Sequence, residues 1–187
     1  MDRKHGEVSE MELEKNRKAT LVPTAGVKFE DQVKVLRAYA VLGAKRDDGA
    51  HYKEVMRVTR LARTQISGLN SFLVMLGLLS SPKRGQYKPT GAVTTFSSKS
   101  PGEEDFTMLR EEISHSPLFR ITEQFFLIHG SGPRGDFVSY LMEEAASKEP
   151  ARADSAIEWL VRVDLLRQDE QGVLSLSTGG CMVEHRN

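Results

Sequence analysis

The distribution of apolar residues predicts two helices and a hairpin within residues 55–90. Apolar side chains recur there at every third or fourth position, as Ile66, Leu69, Leu73 and Leu76. Because this spacing matches the helical repeat, we expect all four on one face of a helix over residues 63–76. Gly77 is expected to stop that helix. The apolar pair, basic turn and extended run that follow predict a small β-hairpin at residues 80–90.

Two further helices are predicted ahead of this one. The first covers about residues 30–42, where apolar side chains again follow one stripe, and Gly43 ends it. The second covers His51–Thr59. A turn at residues 60–62 connects it to the helix that begins at Arg63. Three helices and a hairpin, closed by a short tail through Phe96, make one small domain.

A second, similar succession of elements follows a polar segment at residues 97–105. It comprises predicted helices at 118–129, 137–146 and 153–165, a loop at 130–135, a turn at 167–172 and a strand at 173–176. Residue identity between the halves is low, so the order of elements is what repeats. We predict a flexible N-terminal arm at residues 1–27, with an extended linker at Leu21–Gly26, and domains at 28–98 and 99–187.

Composition changes this picture little. The chain has 187 residues, of which 39% are hydrophobic and 28% charged, as is usual for a soluble globular protein. No apolar run is long enough to span a membrane, and the charged N-terminus does not resemble a secretory signal. Cys181 is the only cysteine, which is compatible with a reducing cytoplasm. We expect a cytoplasmic protein, nucleoid-associated if the source is prokaryotic.

Charge is divided between the halves although the net charge is zero. Residues 28–99 contain 13 basic and five acidic side chains, whereas residues 100–187 contain eight basic and 16 acidic. A division of this size suggests a polyanionic partner for the basic half. The alternative is that the two halves attract one another across an internal interface.

Several features of the basic half occur together in a known superfamily. They are Val58 in the second helix, Leu61 in the turn, Arg63–Ser67 opening the third helix, Leu73–Leu79, the turn Lys83–Tyr87 and the closing Tyr-x-Pro-Thr-Gly. In these features residues 30–96 resemble the winged helix-turn-helix domain of DNA-binding transcription regulators. The resemblance implies a mainly α fold with small β-hairpin wings, and the repeated succession suggests two such domains in tandem. Ala62 departs from the usual Ser or Thr cap, so either Thr64 takes part or the cap is weak.

The resemblance implies where DNA would bind. Helix-turn-helix proteins present the N-terminal part of the third helix, here 63–76, to the major groove. Arginine can pair with guanine and glutamine with adenine, so Arg63 and Gln65 are the predicted base contacts. Thr64 and Ser67 suit phosphate or base contacts.

The hairpin at 80–90 would lie on the DNA backbone. The residues predicted to contact the backbone or the minor groove are Lys83, Arg84 and Lys88. Gly68 and Ser71 are also expected to face outward. Gly68 and Asn70 are poor helix formers, which a helix that closely approaches a surface could tolerate.

The predicted function is therefore binding of double-stranded DNA, in transcriptional regulation, without a cofactor. The turn at residues 168–171 of the second half is acidic and would be repelled by phosphate, so that half is expected to form a homodimer or dock a protein partner. Its aromatic residues, Phe125, Phe126, Phe137 and Trp159, are expected mainly in the core. Two alternatives stay open: a non-enzymatic assembly adaptor built from tandem winged helices, and an RNA-binding protein.

Enzymatic activity is not predicted. The five histidines and Cys181 lack metal-ligand spacing, and the glycine-rich run Gly130–Gly135 lacks the Lys-Ser/Thr of a phosphate loop. No catalytic, cofactor-binding, metal-binding or membrane-spanning residues are therefore assigned.

Overall fold

The computed structural model describes residues 21–24 and 26–177, which form eight α-helices and six short strands. The helices are α1 (Phe29–Gly43), α2 (Tyr52–Thr59), α3 (Arg63–Met75), α4 (Gly91–Ser97), α5 (Arg110–Ser114), α6 (Pro117–His129), α7 (Arg134–Glu144) and α8 (Pro150–Arg162), with a 3₁₀ turn at Phe106–Leu109. The strands are β1 (Ala50–His51), β2 (Leu79–Lys83), β3 (Gln86–Pro89), β4 (Gly132–Pro133), β5 (Leu166–Gln168) and β6 (Val173–Leu176). The predicted mainly helical architecture with small β-hairpins is confirmed.

The strands form two antiparallel sheets of identical design. Their strand orders are β1-β3-β2 and β4-β6-β5, so in each sheet the last strand of a hairpin lies between its partner and a short strand. Each half therefore has the order helix, strand, helix, helix, hairpin. The strands β1 and β4 were not predicted, because two residues are too few to show alternation.

The halves correspond residue by residue from the third helix to the hairpin. Helices α3 and α8 both have 13 residues, and each position from α3 to the end of the first hairpin is matched 87 positions later. Five identities occur at this spacing, namely Leu73/Leu160, Val74/Val161, Leu78/Leu165, Leu79/Leu166 and Gly85/Gly172. The sequence thus contains a repeat signal at a fixed spacing, although identity is low elsewhere.

Both third helices also end in the same way. Leu78 donates its N–H to the Leu73 carbonyl at 3.0 Å, and the corresponding bond from Leu165 to Leu160 measures 2.9 Å. The residue before each donor has a left-handed backbone, with φ of +78° at Gly77 and +57° at Asp164. This is the αL ending that satisfies the last carbonyls of a helix.

The predicted apolar stripe of α3 is fully buried. Ile66, Leu69, Leu73 and Leu76 are each 0% exposed. Burying a side chain of this size stabilises the fold by about 1.5–3 kcal/mol. The corresponding residues Phe72 and Trp159 are also 0% exposed, and the prediction that Trp159 is a core residue is confirmed.

A buried glutamine connects the two halves. Gln32 of α1 is 0% exposed, and its Nε2 donates to the Val27 carbonyl at 3.0 Å and to Ser155 Oγ at 2.6 Å. Its Oε1 accepts from Trp159 Nε1 at 2.8 Å, and the Phe29 ring packs 4.9 Å from the Trp159 ring. Because a buried polar group without partners is costly, this network fixes α8 against α1.

The chain enters the core earlier than predicted. Leu21, Val22 and Val27 are only 4%, 2% and 6% exposed, so residues 21–24 and 26–27, called here the N-terminal segment, are packed. The predicted domain boundary at residue 28 therefore falls just after a buried stretch. Residues 1–20 of the predicted arm lie outside the described residues.

Two boundaries in the second half also differ from the prediction. Helix α7 begins at Arg134, because the loop before it is shorter than predicted. Gly132 and Pro133 form β4, which pairs with β6. Helix α8 begins at Pro150, a residue well suited to a first helical position. It ends at Arg162, because the left-handed Asp164 turns the chain toward β5.

Candidate nucleic-acid interface

The first turn of α3 is capped from inside the helix. Ala62 has no side-chain oxygen, and its backbone N–H instead donates to Gln65 Oε1 at 3.0 Å. Gln65 Nε2 in turn donates to the Gly26 carbonyl at 3.5 Å. Both ends of the Gln65 amide are thus bonded within the protein. To contact adenine, Gln65 would have to exchange these bonds.

Gly68 does not face solvent as expected, because the N-terminal segment lies against it. A Cβ at Gly68 would be 1.6 Å from Thr24 Oγ1 and 2.9 Å from Thr24 Cβ. Only glycine permits such an approach. The close contact inferred from this mid-helix glycine therefore exists, but the surface approached belongs to the protein. Asn70, the other poor helix former, is 1% exposed.

The remaining polar side chains of α3 form an open face. It consists of Arg63, Thr64, Ser67 and Ser71, all of which are exposed. Three of these side chains are short, so the face is shallow and its hydroxyl groups can approach a ligand closely. Arg63 is the long, charged member, and its guanidinium carbon lies 5.9 Å from the centroid of the Tyr52 ring.

Three further cations lie on α2 and in the turn that leads to α3. Lys53, Arg57 and Arg60 are exposed, and none makes an ion pair with another described residue. Their spacing of four and three residues places them along one side of the helix. These three residues were not predicted as DNA contacts, although the sequence shows an excess of basic residues in this half. Within the described chain, Arg63 is likewise without an ion pair.

The predicted wing is the hairpin β2–β3, with its turn at Arg84 and Gly85. Lys83, Arg84 and Lys88 are exposed, and Gly85 has φ +78°, which the tight turn requires. Lys83 Nζ lies 2.5 Å from Asp48 Oδ2, with 62% and 48% of the two side chains exposed. An ion pair this exposed contributes only about 0–1 kcal/mol, so a phosphate can compete with Asp48 for Lys83.

The wing and α3 meet at the first residue of α2. Tyr52 donates its N–H to the Gly85 carbonyl at 3.0 Å, while its ring lies beneath Arg63. The structure therefore brings Arg63, Thr64 and Ser67 to one surface with the wing cations on its flank. It separates Gln65 from them, because Gln65 points toward the N-terminal segment.

The corresponding helix of the second half contacts the first half along one side. Arg152 matches Gln65, and its Nε donates to the Pro23 carbonyl at 2.7 Å. Ser155 matches Gly68 and accepts the bond from Gln32, while the Arg162 guanidinium lies 5.4 Å over the Phe29 ring. The positions of α8 that match the open face of α3 are Pro150, Ala151, Asp154 and Glu158, which carry two carboxylates and no cation. This face would be repelled by phosphate.

The second hairpin also differs in charge. Lys83 and Arg84 are matched by Glu170 and Gln171, which are exposed at the corresponding turn. Asp169 begins this turn, and its Oδ1 accepts from the Gln171 and Val173 N–H groups at 2.9 and 2.8 Å. The turn geometry is retained while the cations are lost.

Titratable groups with shifted pKa values serve the fold. The Arg46 guanidinium hydrogen-bonds Glu54 and lowers the pKa of that carboxyl, and burial raises the pKa of Tyr39. In residues 21–24 and 26–177, no three or more His, Cys, Asp or Glu side chains are grouped to bind a metal ion. Cys181, His5 and His185 lie outside this part of the chain. The described helices are all too short or too polar to cross a bilayer.

Comparison of the chain with protein-family models, curated proteins and solved structures found no match. The interface is therefore interpreted from the chemistry and geometry of its own residues.

Proposed function

We propose that this protein binds double-stranded DNA through its first half and acts in transcriptional regulation. In this proposal the two halves are winged-helix units in tandem. Support comes from the repeated order of helix, strand, helix, helix and hairpin, and from the matching sheet orders. Helix α3 enters the major groove, and the hairpin β2–β3 lies along the backbone.

One observation carries the proposal. Exposed cations without ion pairs among the described residues lie on α2, the turn after it, α3 and the wing: Lys53, Arg57, Arg60, Arg63, Arg84 and Lys88. Such a set of cations, together with the small hydroxyl side chains of α3, suits a polyanion whose bases are approached closely. The internal-interface alternative has less support, because Arg37–Glu104 is the only ion pair between residues 28–98 and the described part of 99–187.

Each residue has a distinct role in this proposal. Arg63 pairs with a guanine edge, Thr64 and Ser67 contact bases or nearby phosphates, and the cations of α2 and the wing neutralise phosphates. Gln65 contacts a base only after it leaves Ala62 and Gly26. The acidic second half docks a protein partner or a second copy of the chain.

The test is fluorescence anisotropy with a labelled random duplex, titrated at several salt concentrations. If about four side chains meet phosphates, log K should fall with log salt at a slope of roughly −3 to −4. The double variant Lys83→Glu/Arg84→Glu should flatten the slope and weaken binding about tenfold or more. The matched control, Arg120→Glu/Lys148→Glu, makes the same charge change on exposed residues of the second half and should bind like the unaltered protein.

Two results would contradict the proposal. Absence of binding at low salt would favour the adaptor alternative, and the acidic half would then be used to capture partners. Equal weakening by both double variants would show a response to net charge alone rather than to this surface. An RNA duplex of the same sequence serves as competitor, and tighter binding to it would favour the RNA alternative.

A further inference from the structure

Tyr52 connects the two parts of the proposed DNA interface. It is the first residue of α2 and is half-buried. Its N–H donates to the Gly85 carbonyl at 3.0 Å, which fixes it to the wing turn. The His51 ring lies 4.7 Å away on the wing side, and the Arg63 guanidinium lies 5.9 Å from the Tyr52 ring centroid.

The wing turn leaves little freedom around this ring. A Cβ at Gly85 would be 3.1 Å from His51 Nε2 and 3.3 Å from Tyr52 Cδ1. The pairing of His51 with Gln86 holds the start of α2 against β3. The position of the Tyr52 ring is therefore set by the wing, and the ring in turn limits where Arg63 can lie.

The second half uses the corresponding residue in the same way. Arg134 begins α7, and its N–H donates to the Gly172 carbonyl at 3.1 Å, as Tyr52 does to Gly85. Its side chain donates to Asp154 Oδ1 of α8 at 2.8 Å and to Gln168 Oε1 of the hairpin at 2.9 Å. In both halves the first residue of the second helix thus links the third helix to the hairpin.

The two links differ in what they leave available. In the second half the linking residue, Arg134, itself carries the cation, which pairs with Asp154. In the first half the linking residue is aromatic and the cation belongs to the third helix. A ring attracts a guanidinium without occupying its N–H donors in a carboxylate pair, so Arg63 can still pair with a base edge.

We propose that Tyr52 is a positioning residue that orients Arg63 relative to the wing and so sets discrimination for guanine. This inference rests on the proposed function. Arginine pairs with guanine O6 and N7 through two parallel hydrogen bonds, which require a defined orientation of its plane. A ring that holds the guanidinium in advance reduces the freedom lost when this pair forms.

The first part of the test needs no DNA. In the free protein, NMR should show the Arg63 δ-methylene protons shifted by the Tyr52 ring current. Tyr52→Phe should retain the shift, and Tyr52→Leu should abolish it. Unchanged Arg63 resonances in Tyr52→Leu would overturn the contact itself. This holds whether or not the protein binds DNA.

The second part measures discrimination. A preferred duplex is selected from a random pool with the unaltered protein, and each guanine in it is then replaced in turn. One replacement should weaken the unaltered protein and Tyr52→Phe by about fivefold or more, the range expected for loss of a bidentate pair. Tyr52→Leu should lose most of this difference while its salt slope stays the same, because no phosphate contact is removed.

If Tyr52→Leu folds poorly, which thermal melting would reveal, Arg63→Lys keeps the inference falsifiable. If it folds, a double variant completes the comparison. Arg63→Lys retains the charge but not the planar fork, and should lose guanine discrimination at an unchanged salt slope. Tyr52→Leu/Arg63→Ala should discriminate no worse than Arg63→Ala. Additive losses in this cycle, or full discrimination in Arg63→Lys, would overturn the inference. A failure of the unaltered protein to bind any duplex would instead refute the proposed function.

Discussion

The two halves use the same scaffold to present opposite surfaces. Their third helices, hairpins and αL helix endings correspond at a constant spacing of 87 residues, and their sheets have the same strand order. Yet Lys83 and Arg84 at one hairpin turn are replaced by Glu170 and Gln171 at the other. The comparison teaches that this fold constrains the backbone strongly and the surface chemistry weakly.

The third helices differ most. Gln65 and Arg152 occupy the same position, and both donate to carbonyls of the N-terminal segment, at Gly26 and Pro23. The segment is therefore contacted from both sides by corresponding residues. Beyond this shared contact, the open face of α3 carries Arg63 and hydroxyl side chains, whereas the matching positions of α8 carry Asp154 and Glu158. Helix α8 is also bonded to α1 through Ser155 and Trp159. One helix is available to a partner, and the other holds the halves together.

The largest effect is expected where the halves are joined. Gln32→Ala should lower the free energy of unfolding by about 2–4 kcal/mol, because it leaves the Trp159 N–H without a partner and opens a cavity. Urea denaturation would measure the loss. Gln124→Ala, an exposed glutamine at the surface of α6, is the control and should change stability by less than about 0.5 kcal/mol. Equal effects of the two changes would refute the importance of the junction.

A smaller loss is expected where the N-terminal segment crosses α3. Gly68→Ala should destabilise the fold by about 1–3 kcal/mol, because its methyl group would overlap Thr24. The control is Gly135→Ala in α7, where nothing lies within 4 Å of the added Cβ. There alanine should be neutral or stabilise by up to about 1 kcal/mol, since it favours helix. If Gly68→Ala were as stable as its control, the segment would not be packed on α3.

The charge difference between the hairpins can be sharpened by removing one competing carboxylate. Asp48→Asn frees Lys83 from its ion pair, and DNA affinity at low salt should rise about two- to fivefold. Anisotropy titrations would measure the change. Glu170→Lys/Gln171→Arg gives the second hairpin the charges of the first and should add little affinity, because the matching face of α8 carries Asp154 and Glu158, which repel phosphate. A larger gain from that pair than from Asp48→Asn would contradict the division of roles.

The smallest effect concerns the two αL positions. The hydrogen bond from Ser177 and the pairing with Arg110 lower the pKa of Asp164 below its usual 3.8. A carboxyl whose pKa is lowered by folding adds stability above its unfolded pKa, and this is lost as pH falls through about 4 toward the folded value. Asp164→Asn should therefore lose less stability than the unaltered protein between pH 5 and pH 3. Parallel unfolding curves would contradict this; the corresponding Gly77 has no carboxyl to titrate.

The helices were predictable from local sequence patterns, whereas which of their surfaces are covered depends on contacts between distant parts of the chain. The apolar stripe of α3 was predictable because helical spacing can be recognised from residues close together in the sequence. All four stripe residues are buried. The contact of Gly68 with Thr24 was not, since it joins distant parts of the chain. The same holds for the contacts of Ser155 with Gln32 and of Arg152 with Pro23, which join α8 to distant parts of the chain. The spacing of 87 residues could have been found, but its identities are mostly common apolar residues.

The buried network at Gln32 fixes how the acidic half is oriented relative to the basic half. Because α8 is bonded to α1, the acidic half cannot turn independently of the helix that would enter the groove. A chain docked through α3 would therefore carry its acidic surface toward one end of the binding site and not the other. Each bound molecule would therefore have a defined orientation along the double helix. A second protein attracted to that acidic surface would be delivered to one flank only.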